Sequence, residues 1–246
     1  MDALIIAAGF GSRLRDVSDS KPLTPIAGIP LLELGARQAK AAGVKRVVVV
    51  TGHEAERIEA ALPAMAERIG IPVVARRLAD WSKPNGWSVM AGAEAIDGNY
   101  LLMMSDHIFS APILTQLGQQ DGADRGVTLA VDHRCDNPLV DPDDATWVKL
   151  DERRFITAIG KTIPAYDAVD CGAFLATPEL AEAIRAAIAA GKAGSLSDGM
   201  QRLADAGRAA TMDIGTAWWL DVDDPRAHAL AEQQAPRELR EIYGQA

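Results

Sequence analysis

The chain has 246 residues, 25 Lys+Arg against 34 Asp+Glu and 48% hydrophobic residues, so it can bury a full core and is too apolar to remain disordered. That length suits one large α/β domain, and residues 1–246 are read as a single unit. The net charge of −9 without a basic stripe excludes nucleic acid and anionic membrane surfaces as partners, so any phosphate-bearing ligand must be held by a few placed cations.

Short β-branched runs alternate with segments of helical period, the pattern of a largely parallel sheet covered on both faces. In chain order the sequence predicts strand Ala3–Ala8, helix Pro30–Ala42, strand Arg46–Thr51, helix Glu54–Ile69, strand Pro72–Ala75, helix Trp87–Ala95, strand Tyr100–Met104 and helix Pro112–Gln120. There follow strands Gly126–Val131, Thr146–Leu150, Phe155–Ile159 and Cys171–Thr177, helices Pro178–Ala190 and Leu196–Ala206, strand Trp218–Val222 and helix Pro225–Gln233. The regular alternation stops at the polar segment Asp132–Asp144, which divides a nucleotide-binding half, residues 1–131, from an acceptor-side half, residues 132–246. Asp141, Asp143 and Asp144 in that segment lack the Gly and Glu of a calcium loop and read as a solvated turn.

Met1 and Asp2 followed by the apolar run Leu4–Ala8 lack the positive flank and length of a secretory signal. No apolar run approaches the roughly 20 residues that span a bilayer. The expectation is an unexported, cytoplasmic protein without membrane insertion. Cys135 and Cys171 read as reduced structural thiols, and the scattered His53, His107, His133 and His228 show no zinc spacing.

The strongest chemical signal is Ala7-Ala8-Gly9-Phe10-Gly11-Ser12-Arg13-Leu14, followed by Ser20-Lys21-Pro22-Leu23, directly after the first strand. Glycines there let the backbone turn and bring N–H groups up to phosphate oxygens, while Arg13 and Lys21 supply positive charge. Leu14 in the third-glycine position argues against a dinucleotide fingerprint, and the absence of Gly-Lys-Ser/Thr argues against a P-loop.

With Lys-Pro after it, this motif resembles the opening of the sugar-phosphate nucleotidyltransferases. Pro84-Asn85-Gly86-Trp87-Ser88, Met104-Ser105-Asp106-His107, Ile159-Gly160-Lys161, Val169-Asp170-Cys171-Gly172 and Trp219-Leu220-Asp221-Val222-Asp223 extend the resemblance over nearly the whole chain. Within that family they look most like the inositol-1-phosphate cytidylyltransferases. The resemblance implies a Rossmann-like three-layer α/β/α nucleotide-diphospho-sugar transferase fold with a mostly parallel mixed central sheet. It also implies transfer of a nucleotidyl group, CTP favoured, to a phosphorylated polyol or sugar, inositol 1-phosphate favoured, with release of pyrophosphate.

Asp106 follows the apolar strand Tyr100–Met104, at the carboxyl end where ligands of open α/β sheets gather, and Asp221 ends another strand. Two such carboxylates could share one Mg²⁺. The resemblance makes Asp106 and Asp221 the metal ligands, with Asp223 in reserve. It makes Arg13, Lys21, Asp106 and Lys161 the catalytic groups, with Lys161 gripping the acceptor phosphate. It lays Ala8, Gly9, Gly11, Ser12, Arg13, Lys21, Asn85, Gly86 and Ser88 against the nucleotide. Asp170 is a candidate acceptor of hydrogen bonds from the polyol hydroxyls, and Trp87, Trp218 and Trp219 read as core. Some relatives carry a fused membrane-embedded domain that consumes the CDP-alcohol; the expectation here is a separate membrane enzyme. The alternatives are UTP, dTTP or GTP with a sugar 1-phosphate, CTP with phosphocholine, a catalytically silent nucleotide-binding subunit, and, disfavoured by Leu14, a dinucleotide-dependent oxidoreductase.

Overall fold

A computed structural model describes residues 1–14, 17–120, 122 and 125–244, apart from the Ser12 side chain. In chain order the elements are β1 (Asp2–Ala7), β2 (Pro25–Ile26), β3 (Ile29–Pro30), α1 (Leu31–Ala41), β4 (Val47–Thr51), α2 (Ala55–Ile69), β5 (Val73–Arg77), α3 (Asn85–Ala93), β6 (Tyr100–Met104), β7 (His107–Phe109) and α4 (Ala111–Gly118). They continue with β8 (Val127–Asp132), β9 (Trp147–Leu150), β10 (Ile156–Gly160), β11 (Ala168–Ala176), α5 (Pro178–Ala189), α6 (Leu196–Asp205), β12 (Ala209–Asp213), β13 (Trp219–Asp221), α7 (Pro225–Glu238) and α8 (Arg240–Tyr243).

A nine-stranded sheet runs in the order β10-β9-β11-β6-β1-β4-β5, with β8 and β12 branching from β11. All of its strands except β10 and β11 point the same way, so the sheet is mixed and mostly parallel. The side-chain period of two splits the core into two layers. Ala3, Ile5, Ala7, Val47, Val49, Leu101 and Met103 pack under α1, α2 and α4. Leu4, Ile6, Ala8, Val48, Val50 and Leu102 pack under α3, α5 and α6. Apolar residues at both phases are why the early strands read as continuous hydrophobic runs. β1 lies between β4 and β6, and the chain winds outward from it in both directions. The crevice at the carboxyl ends of β1 and β6 is thus a topological switch point.

The last predicted strand, Trp218–Val222, is not part of this sheet. β13 instead forms a two-stranded antiparallel ribbon with β7, which pairs Asp221 with His107. Neither β7 nor the short hairpin β2–β3 was legible in the sequence, because three-residue and two-residue strands carry no period. β12 was also unread; Ala209–Asp213 is alanine-rich and its place beside β8 is a tertiary matter. α7 continues past the predicted Gln233 and takes Pro236 into its last turn, held by Ala231, Ala235 and the following Leu239 in a third apolar cluster. That cluster also contains Leu14, Ile108, Leu220 and Val222, so it binds the ribbon to the end of the glycine loop. No helix among the described residues is long and apolar enough to cross a membrane.

α1 and α2 are joined by the buried Glu33 of α1, which accepts hydrogen bonds from Arg37 and from Arg68 of α2. Burial alone would raise the Glu33 pKa, but the hydrogen bonds from Arg68 and Arg37 outweigh it and hold the carboxyl below its usual range. Because folding lowers this pKa, the contribution is fully present above the unfolded carboxylate value, near ~4.3, and disappears as pH falls through the folded value. Glu33→Gln is expected to lower stability by about 1–2 kcal/mol at pH 7, the half-exposed arginines limiting the loss. Urea denaturation at pH 7 and in the acid range checks this; the gap between the two proteins should close in acid.

Candidate active site

The glycine loop leaves the carboxyl end of β1 and is followed by single 3₁₀ turns at Ser12–Leu14 and Lys21–Leu23. Gly9 is open: a Cβ there would meet nothing within 4 Å, which leaves room for a ligand against the backbone. Gly11 has another reason. Its φ is +60°, and a Cβ would lie 2.8 Å from the Lys21 Cβ, so a side chain here would both strain the loop and displace the lysine. Lys21 therefore crosses the loop and places Nζ 2.7 Å from Asp106 Oδ2.

Asp106 sits in the turn between β6 and β7, and the β7–β13 ribbon brings Asp221 opposite the next residue. His107 Nδ1 lies 2.8 Å from Asp106 Oδ1 and 3.6 Å from Asp221 Oδ1. Burial would lower the His107 pKa, but Asp221, Asp106 and Asp170 reverse the effect and raise it to about 9, making the ring a cation at neutral pH. Burial would likewise protonate Asp106; Lys21 and His107 instead hold it well below the carboxylate range. Asp221 shifts upward, chiefly by burial and also by the nearby Asp106, against the pull of His107. Gly172, in β11, makes room for the imidazole: its φ is +76° and a Cβ would stand 2.5 Å from His107 Cδ2.

A second ion-pair group flanks the first. Asp144 accepts from Arg13 at 2.5 Å and also pairs with Lys161, and Arg13 reaches Asp223 at 2.7 Å. The reading of Asp144 as a solvated turn is thereby corrected: the turn folds over the site and its last carboxylate joins two cations. Asp106, His107 and Asp221 offer ligand atoms within 4.8 Å of one another, as do Asp144, Asp221 and Asp223. Among the described residues Asp221 Oδ1 is buried without a hydrogen-bond partner, and Asp223 Oδ2, also buried, meets the Arg13 guanidinium as an ion pair without an aligned hydrogen bond. Hard carboxylate oxygens in this state fit a divalent cation.

Two adjoining cavities share Asn85, Met104, Asp106 and Asp223. One is lined by Ala8, Gly9, Gly11, Arg13, Lys21 and Ser88. The other is lined by Asp144, Lys161, Asp170, Gly172, Trp219 and Asp221. The family model of the MobA-like NTP transferase domain matches residues 3–206. The chain belongs to the MobA-like NTP transferase family. It is 35% identical over 235 residues to a bifunctional IPC transferase and DIPP synthase of Rubrobacter xylanophilus, covering 94% of this chain and 51% of that protein. A protein of the same description from Aquifex aeolicus is 28% identical, with 91% and 49% covered. The chain thus spans about half the length of these curated relatives. Its fold matches the structure of the inositol-1-phosphate CTP transferase from T. maritima with a TM-score of 0.83 at 23% identity, covering 96% of each chain.

In this MobA-like nucleotidyltransferase most of the expected site residues converge. Arg13, Lys21, Asp106, Lys161, Asp170, Asp221 and Asp223 all line the two cavities. Burial raises the Asp170 pKa to about 6, only partly offset by the Gly172 N–H, which its Oδ1 accepts at 2.7 Å. Asn85 lines both cavities while its Oδ1 accepts from Leu196 N at 2.8 Å, tying the start of α3 to the start of α6. Gly86 lines neither cavity; a Cβ there would meet the Gly194 carbonyl oxygen at 2.3 Å, so its glycine serves helix packing. The expectation for the Ser12 side chain falls outside the described residues. Trp219 is core, with Nε1 donating to the buried Asp132 at 2.9 Å. His107 was missed as a site residue because its chemistry depends on Asp221, brought opposite only by the ribbon.

Gly172→Ala is expected to push the imidazole away from its two carboxylates, leaving burial to dominate. NMR titration of the metal-free protein should show the His107 pKa falling from about 9; an unchanged titration would mean that the ring tolerates the methyl.

Proposed function

We propose that the chain transfers a cytidylyl group from CTP to inositol 1-phosphate, releasing pyrophosphate and forming CDP-inositol. The carrying observation is that two cavities meet at Asp106 and Asp223, with Arg13 and Lys21 on the glycine-loop side and Lys161 on the other. One cation set suits a triphosphate and the other a phosphomonoester, and the shared wall is where the two would react. The similar relatives described as IPC transferases, and the fold neighbour described as an inositol-1-phosphate CTP transferase, support this nucleotide and this acceptor.

The acceptor phosphomonoester has its second pKa near ~6 and arrives as a ready nucleophile, so no general base is needed. Its oxygen attacks the α-phosphorus of CTP in line, and the bond to the pyrophosphate oxygen breaks. Arg13 and Lys21 neutralise the triphosphate and the leaving pyrophosphate; Lys161 holds the attacking phosphate and lessens its repulsion from CTP. Asp106 and Asp221 would hold Mg²⁺, which when bound supplies Lewis-acid neutralisation of the α-phosphate charge. Asp170 accepts hydrogen bonds from polyol hydroxyls. The glycine-loop half, residues 1–131, serves the nucleotide and residues 132–246 serve the acceptor, with Asp223 crossing between them within one domain.

Pyrophosphate release with Mg²⁺ across CTP, UTP, dTTP, GTP and ATP, each paired with inositol 1-phosphate, phosphocholine, glucose 1-phosphate and mannose 1-phosphate, tests the assignment. Release confined to CTP with inositol 1-phosphate is the expected result; another productive pair would move the substrate. Lys21→Ala should lower kcat by about 10²–10³-fold through lost transition-state charge stabilisation. Lys161→Ala should raise KM for the acceptor phosphate and leave KM for CTP near its parental value, both read from initial-rate kinetics.

A further inference from the structure

Three large aromatic side chains are exposed among the described residues, Phe10, Trp81 and Tyr166, and two of them stand together beside the glycine loop. Phe10 and Trp81 are 42% and 41% exposed, with ring centroids 6.2 Å apart and planes within 9° of parallel. His53 supports both edge-on, at 4.7 Å from Phe10 and 5.1 Å from Trp81. A half-exposed aromatic ring gains free energy from a flat ligand that covers it.

The backbone sets this group in place. The Ala8 carbonyl accepts from His53 N at 3.0 Å, which joins the glycine loop to the end of β4. Gly52, beside it, has no room for a side chain: a Cβ would lie 2.6 Å from the Trp81 Cβ and 2.8 Å from the Ala8 carbonyl oxygen. Trp81 is therefore seated directly over the strand ends. Trp81 lines the same cavity as Gly9, Gly11, Arg13 and Lys21.

We propose that Trp81, braced by Phe10 and His53, is the stacking surface for the base of the bound nucleotide. This rests on the reading of the glycine-loop cavity as a nucleoside triphosphate site. Phosphates carry no π face and suit Arg13, Lys21 and the loop glycines, so the base is the part of such a ligand whose flat π face can stack on an indole. Stacking is tolerant of base identity, because every base has a π face. Trp81 therefore supplies affinity for the nucleoside end and leaves the choice among bases to polar groups.

Binding is measured by calorimetry for the parent, Trp81→Ala, Trp81→Phe and Phe10→Ala proteins, with CTP, CMP and inorganic tripolyphosphate as probes, and for the parent also with UTP, dTTP, GTP and ATP. Trp81→Ala is expected to weaken CTP and CMP by about 5–150-fold, the range of one lost base–aromatic stack, and to leave tripolyphosphate unchanged. Trp81→Phe should recover most of the loss, and Phe10→Ala should give a smaller loss with the same ligand pattern. Parental CTP affinity in Trp81→Ala, or equal weakening of CTP and tripolyphosphate, would overturn the proposal while leaving the nucleotide site standing. A parent protein that binds tripolyphosphate but none of the five nucleoside triphosphates would overturn the functional reading and this inference with it.

Discussion

Asp221 faces His107 across the β7–β13 ribbon, and the geometry of the site follows from that pairing. β7 is chained to β6 by the two-residue turn that carries Asp106, and Val222 N donates to the Asp106 carbonyl at 2.9 Å. A carboxylate from the turn after β6 and one from the last strand are thus fixed around a single imidazole. The third apolar cluster, which includes Ile108, Leu220 and Val222, keeps the ribbon against the body of the protein. Antiparallel pairing over three residues is weak by itself, so packing beneath it must hold the register.

The site is a set of compensated charges. Lys21 is satisfied by Asp106, Arg13 by Asp144 and Asp223, and Lys161 by Asp144. Arg13, Lys21 and Lys161 are each paired with a carboxylate, so an anionic ligand that took up these cations would exchange partners with aspartates. Asp106 and Asp223, which line both cavities, are carboxylates that such an exchange would release, and oxygens of that kind suit a divalent cation. Such compensation is local, built from short ion pairs, and does not depend on the net charge of the chain.

Glycines in this site serve different ends. Gly9 leaves open space for a ligand, Gly11 lets Lys21 cross the loop, Gly172 accommodates His107, and Gly86 allows α3 to approach the segment before α6. A single motif such as Asn85-Gly86 therefore contains one residue that lines the cavities and another that packs behind them. Reading both as ligand contacts, as the resemblance suggests, treats packing and binding as one signal.

Much of the architecture was legible because it is written in local chemistry. Continuous apolar strands, amphipathic helices and a glycine loop with Arg13 and Lys21 depend on residues near each other in the chain, and they identified an α/β nucleotide fold. The place of Asp106, directly after a strand at the sheet's carboxyl edge, was legible for the same reason, whereas the role expected of it came from the resemblance. Folding alone decided which distant groups meet: Arg13 with Asp144, 131 residues away, His107 with Asp221, and Phe10 with Trp81. Ion pairing and ring stacking act through space over a few ångströms, whereas sequence periodicity reports only the next few turns of chain. The determinants of element type therefore lie in the sequence by itself, and the partners of each charge and ring are set by the tertiary structure.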